Sequence, residues 1–75
     1  MTKREYCKEN PPIGGWCLSN TMSVILHGIE HGIDDYAYVS AGDSYSKLKI
    51  HTAPNGDSYI MFGKLKLFFA ECMAV

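Results

Sequence analysis

The distribution of polar and apolar residues along the chain favours β-strands over most of its length. In residues 47–52 the two classes alternate with a period of two, as they do in a strand with one buried face. Four further segments are rich in the β-branched and aromatic residues that strands favour, and glycines lie between most of them. The pattern predicts strands at residues 22–27, 36–40, 47–52, 58–62 and 65–69.

Two short turns predict how the last three strands pair. Asn55-Gly56 is typical of a two-residue type I′ turn, because both residues tolerate a positive φ. A two-residue loop there would place Thr52 opposite Tyr59 and Ile50 opposite Met61. Gly63-Lys64 is typical of a second two-residue turn, of type II′. We therefore expect these strands to form an antiparallel meander.

The N-terminal segment follows a helical pattern instead. Thr2 and Glu5 form a capping-box pair, which predicts a helix over residues 3–9. Pro11 and Pro12 end it, because proline cannot donate a backbone hydrogen bond and restricts the residue before it. Since the strand at residues 58–62 is apolar on both faces, we expect the sheet that follows to curl. The predicted fold is mainly β: a short N-terminal helix and a strongly curled five-stranded antiparallel meander, an SH3-like small barrel.

Length and composition indicate one folded domain. The chain has 75 residues, of which 47% are hydrophobic and 20% charged, a balance that excludes intrinsic disorder. We expect a single domain over residues 1–75, made of a helical N-terminal segment (1–12), the meander (21–69) and a tail (70–75) that closes as one helical turn. No apolar run approaches the roughly 18 residues of a membrane-spanning helix, and no signal-type stretch begins the chain. We therefore expect a cytoplasmic protein.

The charges are unevenly distributed along the chain. Residues 1–43 carry three basic and six acidic side chains, whereas residues 44–75 carry four basic and two acidic ones. No basic residue lies between Lys8 and Lys47. Such a chain can present one acidic and one basic surface to its partners.

The three cysteines do not form a recognisable metal or disulfide motif. Cys7, Cys17 and Cys72 are an odd number, and no pair has C-x-x-C spacing. We expect them to be small buried apolar side chains. A single disulfide or a shared metal remains an alternative at this stage.

The most enzyme-like string is H-x-x-E-H, at His27 to His31. In zinc peptidases this pattern needs a helix, because only helical spacing brings both imidazoles to one metal ion. Here the preceding residues favour a strand, so we expect no catalytic site and no cofactor. A metal-stabilised structural domain, with ligands from His27, His31, Cys7 or Cys17, is kept as an alternative.

Binding therefore explains the sequence with the fewest assumptions. Exposed tyrosines are common where proteins dock, and an acidic loop attracts a basic partner surface. We expect a protein partner to be bound by Glu30, Asp34, Asp35, Tyr36, Tyr38 and Asp43. The alternative is single-stranded nucleic acid, bound by Tyr45, Lys47, Lys49, Lys64 and Lys66. Homodimerisation through an exposed strand edge is compatible with either partner.

The hairpin region at residues 47–51, 55–56 and 62–67 resembles small uncharacterised proteins of bacterial mobile elements and phages. Proteins of that setting include inhibitors of host defence nucleases, among them anti-CRISPR proteins. The resemblance implies an inhibitor that occludes a surface of its target, with acidic residues that imitate the charge of nucleic acid.

Overall fold

A computed structural model describes residues 2–73 of the chain. Its elements follow the chain as one α-helix, six strands and a 3₁₀ turn. The bounds are α1 Lys3–Glu9, β1 Gly14–Cys17, β2 Ser23–Glu30, β3 Tyr36–Ala41, β4 Ser44–Thr52, β5 Ser58–Phe62, β6 Leu65–Phe68 and the 3₁₀ turn Phe69–Glu71. Residue 1 of the predicted N-terminal segment and residues 74–75 of the predicted tail lie outside the described residues.

The strands form one antiparallel sheet in which each strand pairs with the next along the chain. The predicted mainly β fold with a short N-terminal helix is confirmed. The strand count was wrong, because the sheet has a sixth strand, β1, at its N-terminal edge. Gly14-Gly15 begins this strand, and glycine pairs are more often a sign of a bend.

The sheet curls until its first and last segments meet, which gives a nearly closed barrel. The backbone N–H of Gly15 donates to the carbonyl of Met73 over 2.9 Å, and the N–H of Met73 donates back to Gly15 over 2.8 Å. Beside this bridge, the indole Nε1–H of Trp16 donates to the carbonyl of Phe68 over 2.8 Å. The two edge segments therefore satisfy part of each other's backbone where they meet.

The closure requires glycine in β1. A Cβ atom on Gly14 would lie 2.6 Å from Sγ of Cys72 and 2.9 Å from the carbonyl oxygen of Met73. A Cβ atom on Gly15 would lie 2.7 Å from the carbonyl oxygen of Val24 in β2. All three distances are shorter than real Cβ contacts, so these two glycines allow a close approach of backbones that a side chain would prevent.

The core lies inside the curled sheet. Its largest fully buried side chains, Val24, Val39 and Ile60, come from β2, β3 and β5. Each alternates along its strand with residues of the outer face, as the period of two predicted. The remaining members of the core cluster are Trp16, Leu26, Ala37 and Leu67.

Helix α1 packs on the outer face of the sheet. Thr2 is the N-cap as predicted, since its Oγ1 accepts a hydrogen bond from the N–H of Glu5 over 3.2 Å. The Glu5 carboxylate accepts from the Thr2 hydroxyl rather than from the Thr2 backbone N–H of a full capping box. The ring of Tyr6 stacks on the ring of Tyr38 with centroids 3.8 Å apart, and it lies over Gly28, where a side chain would collide with it. A helix of this length is marginal alone, so this stacking and the burial of Cys7 hold it in place.

The β4–β5 hairpin differs from the prediction by one residue of register. The pairs are His51 with Tyr59 and Ile50 with Ile60, rather than Thr52 with Tyr59 and Ile50 with Met61. The N–H of Gly56 donates to the carbonyl of Ala53, which closes a four-residue turn. A type I′ turn needs a positive φ at both Asn55 and Gly56, and only Gly56 has one, so the turn is not of that type. Pro54, with φ fixed near −65°, favours this longer loop. The predicted two-residue turn at Gly63-Lys64 is confirmed by the pairing of Phe62 with Leu65.

The three cysteines are free thiols in different environments. Cys7 is buried as predicted, whereas Cys17 is exposed and Cys72 is half-buried. Burial raises the pKa of Cys7 and of Cys72 above the ordinary thiol value.

The closure predicts a loss of stability for alanine at one glycine and almost none at another. Gly14→Ala places a Cβ atom against Sγ of Cys72 and the Met73 carbonyl, and we expect it to lower the free energy of unfolding by about 1–3 kcal/mol. Gly32→Ala is the matched control, because the nearest atom to its Cβ is 3.9 Å away. We expect that variant to stay within about 0.5 kcal/mol of the wild type in urea unfolding. Equal stability of the two variants would contradict this account of the closure.

Candidate functional site

A β-bulge in β2 determines which side chains reach the outer face near α1. The register between β2 and β3 shifts between Leu26 and Gly28, so His27 has no partner of its own. After the shift, Gly28 lies opposite Tyr38 and Glu30 lies opposite Tyr36. Because one extra residue reverses the alternation, Glu30 faces outward instead of toward the core.

Glu30 is the centre of a polar cluster on this face, formed with Tyr38 and Lys47. The Tyr38 hydroxyl donates to the Glu30 carboxylate, and Nζ of Lys47 lies 3.1 Å from the same oxygen. Nζ of Lys47 also lies 4.6 Å from the centroid of the Tyr36 ring, within range of a cation–π contact. The Glu30 cluster (Glu30, Tyr38 and Lys47) therefore joins β2, β3 and β4 by side chains as well as backbone.

The cluster changes the ionisation of its members. The hydrogen bond from Tyr38, and next the bond and charge of Lys47, hold the pKa of Glu30 below its usual value. The bond to Glu30 raises the pKa of Tyr38 and that of Lys47. The physical cause is the same in each case, because hydrogen bonds and opposite charge favour the carboxylate, the neutral phenol and the ammonium.

The acidic loop, residues 31–35, connects β2 to β3 beside this cluster. Its C-terminal end is fixed by the N–H of Ile50, which donates to the carbonyl of Asp35 over 3.0 Å. Side chains fix it further: Asp34 lies 3.6 Å from Nζ of Lys49, and His31 lies 3.4 Å from Asp35. At its tip, Ile33 is as exposed as in an extended peptide, at 105% of the reference area. The loop thus presents one large apolar side chain directly before two aspartates.

The structure brings together most of the residues predicted to bind a protein. Glu30 and Tyr36 lie next to the acidic loop with its Asp34 and Asp35. Tyr38 does not belong to the exposed surface, because its ring is buried beneath the ring of Tyr6. Asp43 does not join them, because it lies in the β3–β4 turn at the opposite end of β3. There it lines a depression of about 330 Å³ with Arg4 and Tyr45.

The residues predicted to bind nucleic acid are divided between two surfaces. Tyr45 and Lys47 line a shallow groove of about 540 Å³, together with Tyr38 and the first residues of α1. Lys47 and Lys49 pair with Glu30 and Asp34, so much of their charge is compensated. Lys64 and Lys66 lie elsewhere, in the β5–β6 turn and in β6.

The second surface carries a row of aromatic side chains across β4, β5 and β6. Tyr59 is the middle member, with its ring centroid 5.4 Å from that of His51 and 5.2 Å from that of Phe68. Nζ of Lys66 lies 5.2 Å from the centroid of the Tyr59 ring. We call His51, Tyr59 and Phe68 the aromatic ladder.

The H-x-x-E-H string has a structural explanation. It lies on strand β2 and the loop that follows, not on a helix. The two ring nitrogens of His27 are both engaged, with the carbonyl of Asn10 at 2.9 Å and with Oγ of Ser40 at 2.8 Å. Within residues 2–73, no three His, Cys, Asp or Glu side chains are grouped so that they could hold a metal ion together.

Sequence reasoning missed Ile33 as part of the acidic-loop surface, and it missed His51 and Phe68 as part of the aromatic ladder. Ile33 had a visible signal, since it is an apolar residue between a glycine and two aspartates. His51 and Phe68 had none, because their contact with Tyr59 depends on the register of two hairpins.

Comparisons with known proteins found no family model, no curated protein and no solved structure that matches this chain. The resemblance to proteins of mobile elements and phages therefore stays a prediction. Across residues 2–73, no helix is both long enough and apolar enough to cross a membrane.

The Glu30 cluster predicts a specific dependence of stability on pH. Because the pKa of Glu30 is lower in the folded protein, its contribution is present above about pH 4.3 and is lost as the pH falls through the folded-state pKa. We expect Glu30→Gln to make thermal unfolding less sensitive to pH in this acidic range. Glu9→Gln, on the exposed side of α1, is the control and should keep the wild-type slope. An unchanged slope in Glu30→Gln would show that the cluster does not stabilise the fold.

Proposed function

We propose that this chain is a cytoplasmic, non-enzymatic protein-binding module that recognises its partner with the acidic loop and the adjoining Glu30 and Tyr36. The observation that carries the proposal is the exposure of Ile33 at the tip of that loop. A large aliphatic side chain with no contact to its own protein has no folding role to explain it. In a complex, the same side chain supplies apolar area to a partner's pocket.

The loop is well held for this task. The Asp35 carbonyl accepts from Ile50, and Asp34 and Asp35 each contact a basic side chain. Just before the loop, Glu30 is held by Tyr38 and Lys47. A loop fixed at both ends loses less conformational entropy when it binds, so more of the contact energy is available as affinity.

The charges around Ile33 indicate the chemistry of the partner. Glu30, Asp34 and Asp35 outnumber the two lysines that pair with them, so the surface around the loop is mildly acidic. We infer a partner with an apolar pocket and a basic rim. The apolar contact supplies most of the affinity, and the acidic side chains orient the encounter.

The narrower role we propose is that of a phage or mobile-element inhibitor of a host defence nuclease. Nucleases bind a polyanion and therefore carry basic surfaces, which complement an acidic loop in sign. The resemblance of the hairpin region supports this role, and the charge of the loop agrees with it.

Loss of the apolar anchor tests the proposal. Tagged protein is used to capture partners from nuclease-treated bacterial lysate, and mass spectrometry identifies the bound protein. We expect Ile33→Ser to weaken the purified complex about 30-fold or more, because it removes the anchor without adding charge. Ile13→Ser, also at an exposed isoleucine, is the matched control and should bind as the wild type does.

The charge argument has its own test. We expect the double variant Asp34→Lys, Asp35→Lys to slow association with the same partner, with a larger effect at low salt. Thermal unfolding confirms that each variant is folded. Wild-type affinity of Ile33→Ser for the captured partner would refute the acidic loop as the binding surface.

A further inference from the structure

We propose that the aromatic ladder, with Lys64 and Lys66, is a second binding surface, and that its ligand is single-stranded nucleic acid. The bases would stack on His51, Tyr59 and Phe68, and the phosphates would contact the two lysines. This surface is separate from the acidic loop, so the inference does not depend on the proposed protein partner.

The geometry of the ladder suits stacking. Its three rings come from three adjacent strands and follow one another across the sheet at centroid distances of 5.4 and 5.2 Å. On the same strands, Ile50, Ile60 and Leu67 point into the core, so the alternation directs the ladder outward. His51 is exposed, and Tyr59 and Phe68 are half-buried, so the ladder remains accessible at the surface.

The distribution of ion pairs concentrates positive charge at this surface. Of the four lysines in residues 44–75, Lys47 and Lys49 pair with acidic side chains of β2 and of the acidic loop. Within residues 2–73, Lys64 and Lys66 make no ion pair, and Lys66 lies over the ring of Tyr59. One uncompensated cation, Lys66, therefore lies over a ring of the ladder, and Lys64 lies in the turn that begins the same strand.

Rings and cations together indicate the ligand class. Aromatic rows across strands also stabilise sheets, but that role needs no lysine over the ring. Stacking platforms flanked by cations are how proteins bind single strands without regard to sequence, because every base has a π-face and every nucleotide a phosphate. In a duplex the bases are stacked on one another inside the helix, so they cannot stack on such a platform.

Fluorescence anisotropy with a labelled 15-residue oligothymidylate tests the inference. We expect saturable binding at low salt, and about tenfold weaker binding by Tyr59→Leu, which keeps apolar contact with the sheet but removes the stacking face. Tyr36→Leu, a tyrosine of the other surface, and Ile33→Ser are controls and should bind as the wild type does. Because two lysines contact phosphate, we expect log K to fall with log salt at a slope of about −1.4, and at about half of that in Lys66→Gln.

Thermal unfolding of each variant separates a loss of binding from a loss of folding. His51→Ala serves as a second variant, because the side chain is exposed and its removal leaves no cavity in the core. The inference is overturned if the wild type shows no saturable binding, or if folded His51→Ala and Tyr59→Leu both bind like the wild type. Equal affinity for heparin or for duplex DNA would also overturn it, since attraction to any polyanion would then explain the result.

Discussion

The structure depends on the bridge between Gly15 and Met73. Two reciprocal backbone hydrogen bonds join the first strand to the segment after the last one, and the Trp16 indole adds a third bond beside them. A six-stranded sheet of this length has too few residues to cover two open faces, so curling is the only way to give it an interior. Val24, in β2, is wholly buried because the sheet on the far side has been brought against it.

Because the interior of the barrel is apolar, the polar and aromatic clusters described above lie on its outer surface. The inner positions are apolar, and the described residues include no buried polar or charged side chain. Two irregularities in the strands then arrange the outside. The bulge at His27 turns Glu30 toward Tyr38 and Lys47, and the longer loop at Pro54 sets Tyr59 beside His51. Each irregularity moves a strand by one residue, and each thereby decides which side chains share a surface.

Local signals in the sequence were sufficient for much of the fold. The capping pair of α1, the alternation in β4 and the turn at Gly63-Lys64 depend on neighbours along the chain, and each was predicted correctly. Strand β1 was missed because its first glycine is needed for a close contact with the C-terminal segment. That contact joins residues far apart in sequence, so no local pattern encodes it. The site was predictable to the same extent: the acidic loop is a composition signal, whereas the aromatic ladder depends on register. The loop length at Asn55-Gly56 was ambiguous in the sequence. Pro54 favours the longer loop, and each residue pair in that hairpin therefore differs from the prediction by one position.

The bridge between Gly15 and Met73 also orders events during synthesis. Each hairpin of the meander joins residues close in sequence and can form as soon as its two strands have left the ribosome. The last bridge joins residues 58 positions apart, so the barrel stays open until residue 73 has emerged. Until then the edges of β1 and β6 both expose unpaired backbone and apolar surface. Chaperones and protein-degrading enzymes recognise these features. A growing chain can therefore form its hairpins before it can form the bridge that closes the barrel.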